Sequence, residues 1–315
     1  MASMTTKQQQ LPYQGSHSRL RHVIARHPVA SYLIMVYAVI FPIALPSPLT
    51  RGDFLPLDLE LYGSLGTILG VTLPAFLVTA ATDGWAGVRD LASRCVRWRV
   101  GIRWYLIAVL GMPVAMTLAT TAAFGTPLLN NLSDKWELLF TLVLPQLVLL
   151  ILLFNWAEEI GWTGLVQYKL QNRFGPLKAC ALTAFPFAVF HIPFFLHDEG
   201  WAIANLPIAL VYLVFETFVL IFARVVIIWL YNSTSRSLLI AGLFHAVFNT
   251  TNNTFGQEFI PGDAGGAVFY IGSGVVMIAA IVIAVKTKGR LSYNADATAQ
   301  SAPAKTGADL GRGPR

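Results

Sequence analysis

The chain has 315 residues, of which 55% are hydrophobic and 12% charged, with a formal net charge of +6. Soluble domains carry about 25% charged residues, and the mean hydropathy here is +0.60. This composition excludes a water-soluble globular protein, a disordered chain and a coiled coil. It leaves an all-α polytopic membrane protein, because the apolar stretches are too long and too uniform for barrel strands. The basic balance reads as a mark of the cytoplasmic side of a membrane, with no call for nucleic acid.

In chain order, a basic tail over 1–28 carries Lys7, Arg19, Arg21 and Arg26. Eight apolar stretches follow, near 29–46, 61–82, 104–126, 137–167, 178–197, 203–231, 237–252 and 266–285. They predict about eight transmembrane helices in one domain over 29–285. The first ends in a turn with Pro42, Pro46 and Pro48 and shows no small-residue cleavage site, so it reads as a helix and not a signal peptide. Residues 87–103 alternate arginine with Leu, Val and Trp98, which fits an amphipathic interfacial helix or a charged loop that fixes topology. The fourth stretch is long enough that it must tilt or break, and Gly161 and Gly164 are the expected break. The tail over 286–315 is rich in Ala, Ser and Gly and reads as disordered. Cys95 and Cys180 have no framework spacing; Cys180, in an apolar run, reads as core.

With the N-terminus inside, the inner segments hold 19 of the 22 Lys and Arg residues. The outer loops hold Arg51 and Lys135 and several acids: Asp53, Asp58, Glu60, Asp198, Glu199, Glu258 and Asp263. This asymmetry predicts an N-in, C-in topology.

Ionisable residues within a membrane span are costly and mark functional candidates. The spans contain Glu158, Glu159, His191, Glu216, Arg224 and His245, and Asn249 follows His245 by one helical turn. Counted from the nearest cytoplasmic charge at 1.5 Å per residue, Glu158 lies about 16 Å deep, His191 about 20 Å and His245 about 14 Å. Three helices thus bring polar groups to a similar depth, and a shared polar cavity satisfies them. Carboxylate and imidazole together suit the activation of water. A second imidazole with an amide suits hydrogen bonding to a developing oxyanion. Glu158, His191 and His245 would equally suit a zinc ion with an open position. Glu216 and Arg224, about two turns apart, read as structural, through interhelical pairing or as boundary residues.

The segments Glu158-Glu159-Ile160-Gly161-Trp162-Thr163-Gly164, Phe187-Ala-Val-Phe190-His191 and His245-Ala-Val-Phe248-Asn249 resemble, in order and spacing, the CPBP family of intramembrane proteases. This family is also called the CAAX amino-terminal protease family and includes the Ras-converting CAAX endoprotease. The resemblance covers roughly residues 137–252. It implies a membrane bundle with a cavity open to the cytosol. It implies that Glu158 with His191 activates water, that His245 and Asn249 stabilise the oxyanion, and that Glu159 supports the site. No cofactor is required under that glutamate mechanism; zinc is the alternative. Partners would be membrane lipid and a lipidated or membrane-associated peptide. The location would be the inner membrane of a bacterium or the endoplasmic reticulum of a eukaryote. One position departs: the family pattern EExxxR has arginine where this chain has Thr163. That arginine would hold a glutamate, and Thr163 lacks the charge. Arg173 is too far along the helix, and Arg224 is the remaining cation in a span.

Two other functions fit the same residues. A non-catalytic or weakened relative would act as a bacteriocin-immunity or scaffold protein. A proton-coupled transporter would use Glu158, Glu216 and the histidines as a relay.

Overall fold

The computed structural model describes residues 15–44, 66–199, 206–260 and 267–294. All regular structure among them is helical: α1 (Gly15–Arg26), α2 (Pro28–Ala44), α3 (Ile68–Cys95), α4 (Ile102–Phe124), α5 (Pro127–Asp134), α6 (Leu139–Phe174), α7 (Pro176–Glu199), α8 (Leu206–Ser233), α9 (Leu238–Thr250) and α10 (Val268–Lys286). A π turn (Thr251–Phe255) and a short helix (Gly256–Phe259) extend α9.

Six of these helices are long and apolar enough to cross a membrane, and a seventh candidate is the pair Arg19–Arg26 and Pro28–Pro42, bent by 104°. Among the described residues, two of the eight expected spans do not count by themselves. The first span counts only as part of that bent pair. The stretch over 237–252 fails on polarity, because α9 and its continuation carry His245, Asn249, Thr250, Thr251, Asn252 and Asn253. Polar content fits its place, since almost every residue of α9 is buried within the protein.

Two local expectations also change, and residues 87–103 divide between the two readings given for them, a helix and a charged turn. Gly84, at φ +66°, kinks α3, the helical segment after it ends at Cys95, and residues 97–100 are non-helical before α4. No break occurs at Gly161 or Gly164. Instead α6 stays continuous, widened by π turns at Leu139–Val143, Ile151–Asn155 and Trp162–Gln167. The start of the expected disordered tail is held in place: Leu291 is buried, its carbonyl accepts from Asn232 at 3.0 Å, and Tyr293 donates to Asn172 at 2.8 Å. The rest of that tail, and the outer-loop acids Asp53, Asp58, Glu60 and Asp263, lie outside the described residues. Cys180 is fully buried, as expected of a core residue.

A belt of polar contacts ties the helix ends that carry the basic residues. Lys169 pairs with Asp83 at 2.6 Å, and Asp90 takes Arg94 at 3.0 Å and Arg236 at 3.2 Å. Arg94 also donates to Tyr231 Oη at 2.8 Å and to the Gly164 carbonyl at 3.1 Å, so it joins α3, α6 and α8. Trp156 Nε1 donates to the Cys95 carbonyl at 3.1 Å, and Thr72 donates to the Ala157 carbonyl at 2.9 Å. These bonds fix the height of the α6 turn that bears Glu158 and Glu159.

Candidate active site

Glu158 and Glu159 lie in the α-helical stretch Trp156–Gly161, between two of the π turns. Such turns shift the register of a helix face and occur often at functional sites. Here they leave both carboxylates directed into the protein, with 7% and 0% of their surface exposed. Helix α9 approaches this turn closely at Gly242, where an added Cβ would stand 2.6 Å from Trp156 Cα. The missing side chain lets His245, three residues on, reach the glutamates. Gly161 plays a similar part toward α2, since a Cβ there would stand 1.9 Å from the Tyr32 hydroxyl.

The two glutamates have different surroundings. Gly161 and Trp162 follow Glu159, and then Thr163, whose hydroxyl donates to Glu159 Oε2. Arg224 Nη1 from α8 reaches both oxygens of Glu159, at 3.0 and 2.8 Å, and Arg224 Nη2 donates to Thr163 Oγ1 at 2.5 Å. His245 Nδ1 stands 3.0 Å from Glu159 Oε1. Arg224, Glu159 and Thr163 are all fully buried. Glu158 has lighter contacts: Asn155 Nδ2 donates to it at 3.3 Å, and His245 Nδ1 is 3.8 Å away.

His191, on α7, donates from Nδ1 to the Phe187 carbonyl at 2.9 Å. That bond fixes the tautomer and leaves Nε2 with its lone pair. His191 makes no hydrogen bond or ion pair with either glutamate. It is joined to the site through Phe187, whose ring centroid is 4.9 Å from His191 and 5.9 Å from His245. Trp162 stacks on the same Phe187 ring at 4.7 Å, and Tyr32 meets Trp162 edge-on at 5.8 Å. Asn249 is half-buried, one turn beyond His245, and makes no hydrogen bond with any described residue.

Of the residues picked from the sequence, Glu158, Glu159 and His245 meet directly, and His191 joins through an aromatic contact. Among the described residues no three of His, Cys, Asp or Glu converge as a metal site. The residues named as possible zinc ligands, Glu158, His191 and His245, are not among any such group, although the bond from His191 Nδ1 leaves its Nε2 open.

The arginine expected within α6 arrives instead from α8. Arg224 had the sequence signature of a span-embedded cation, but its partner is set by packing and not by spacing. Thr163 is part of the same clamp. Asn155, three residues before Glu158 in an apolar run, was a visible polar residue whose role needed the structure.

Residues 139–251 match the family model of the type II CAAX prenyl endopeptidases, Rce1-like. The matched stretch contains Glu158, Glu159, Thr163, His191, Arg224, His245 and Asn249. A comparison with curated proteins finds no match. Together with the apolar helices, the family match points to an integral membrane protein.

Proposed function

We propose that this protein is an intramembrane endopeptidase that cleaves lipidated CaaX-type or other membrane-associated peptides with a water activated by Glu158. The observation that carries this reading is the division of labour between adjacent carboxylates. Glu159 has its oxygens occupied by Arg224, Thr163 and His245. Glu158 holds one weak bond from Asn155 and keeps lone pairs for a water.

Glu158 takes a proton from water as its oxygen attacks the scissile carbonyl. His191 accepts a hydrogen bond from that water at Nε2, the nitrogen that its bond to Phe187 leaves open. The proton then passes to the leaving amine as the C–N bond breaks. Glu159 faces the Nδ1 side of the His245 ring, so that the imidazolium, protonated at both nitrogens, donates from Nε2 to the oxyanion, and Asn249 adds a second donor one turn away. The Arg224–Thr163 clamp holds Glu159 in place. The cavity opens to the cytosol in this reading, because Lys169, Arg94 and Arg236 gather at one end of the bundle.

The test is cleavage of a farnesylated CaaX-type peptide by purified protein in lipid nanodiscs. Glu158→Gln keeps the volume and removes the base, and the rate should fall by about 10²–10⁴. Equal cleavage by wild type and Glu158→Gln would overturn the mechanism.

A further inference from the structure

Helix α8 carries a second ionisable residue, Glu216, that the mechanism above does not use. Leu210, Val211, Val214 and Phe218 are half or more exposed and mark the outward side of this helix. At 100° per residue, Glu216 lies roughly 170° from the centre of that side. It shares the inward side with Leu220, Ala223 and Ile227, all buried. Glu216 itself is only half-buried. An exposed side chain on the inward side of a helix faces an opening between helices and not lipid.

That opening adjoins the candidate active site, since Glu216 stands two turns along the same helix from Arg224, which holds Glu159. Glu216 makes no hydrogen bond or ion pair with any described residue. Arg224 is not its partner. It lies two turns further along α8, about 12 Å away, and its guanidinium is taken by Glu159 and Thr163. A carboxylate in a membrane span without a counter-charge is costly. It persists where its partner arrives with a ligand.

We infer that Glu216 is a specificity residue that receives a cationic side chain, lysine or arginine, of the peptide substrate. This inference rests on the endopeptidase reading for its ligand class. It places the basic residue of the substrate on the side of His245 away from Lys169 and Arg236, deeper than the scissile bond.

The full chain in phosphatidylcholine nanodiscs tests it. The probes are fluorescent farnesylated CaaX peptides in which lysine or its uncharged isostere norleucine is placed, one position at a time, on either side of the cysteine. Binding is read by anisotropy and cleavage separately by mass spectrometry. At one position lysine should bind at least tenfold more tightly than norleucine. Glu216→Gln should bring that ratio to about one, and Glu216→Lys should favour a glutamate at the same position. If Glu216→Lys does not fold, the isosteric Glu216→Gln carries the test. Equal binding of the two peptides at every position, or a lysine preference that survives in Glu216→Gln, overturns the inference. A Glu216-dependent lysine preference without cleavage overturns the endopeptidase reading and leaves the cation site standing. Cleavage without the preference does the reverse.

Discussion

Exchanging the position of one charge tests the Arg224–Thr163–Glu159 clamp. Arg224→Met removes the guanidinium but keeps apolar bulk on α8. It leaves Glu159, fully buried, with Thr163 and His245 alone. Losing one partner of a buried pair costs about 3–5 kcal/mol, because the other charge stays behind without compensation. Thr163→Arg is also harmful by itself. Arg224 Nη2 already sits 2.5 Å from Thr163 Oγ1, so a second guanidinium meets both a filled space and a like charge. In Thr163→Arg with Arg224→Met, the space that one side chain vacates is available to the other, and the new arginine stands at i+4 from Glu159, in pairing range on a helix. The double variant should therefore be more stable than the sum of the single losses by about 2–3 kcal/mol, the upper range for residues in one network. Thermal midpoints in detergent, read by size-exclusion after heating, are the assay. At 2–4 °C per kcal/mol, each single variant should lose roughly 10 °C, and the double variant should melt about 5–10 °C above the midpoint that the two losses added together would give. Cleavage should follow the same order. Strictly additive losses would refute the reasoning, as would an Arg224→Met midpoint within 1 °C of wild type.

The close approach of α9 to α6 predicts that Gly242→Ala costs about 1–3 kcal/mol by overpacking, because its Cβ meets the Trp156 backbone at 2.6 Å. Gly111→Ala, with no atom within 4 Å of the added Cβ, is the control and should be tolerated. Equal midpoints for the two would contradict the packing argument. Strong zinc chelators should leave cleavage within twofold of the untreated rate, because no three ligands converge at the site. A loss restored by added zinc would show that a metal draws His191 and the glutamates together.

Much of this was legible before any coordinates. Helix identity followed from apolar length, and Glu158, Glu159 and His245 stood out as charges where lipid forbids them. Partner choice did not follow. Arg224 and Thr163 are separated by 61 residues, and nothing in local spacing says which face of α8 meets α6. The break expected at Gly161 was a reasonable inference from composition, but this glycine serves contact with Tyr32 and leaves the helix intact. Residues 87–103 stayed open between helix and loop for a different reason: an Arg/Leu/Trp alternation suits equally a helix end, a turn and the next helix start, and the stretch contains all three. Over 237–252, hydrophobic length alone did not tell a helix facing lipid from one surrounded by protein, as α9 is.

Supplying the arginine from α8 changes the order in which the protein becomes whole. The chain emerges from the ribosome with α6 ahead of α8, so two adjacent carboxylates enter the membrane region before their cation exists. Until α8 docks, Glu159 has no arginine to pair with, and His245 on α9 comes later still. Maturation of the site is thus tied to the last steps of helix assembly. A partly inserted chain carries the glutamates but not the clamp. An arginine within α6 itself would have been available to Glu159 from the start.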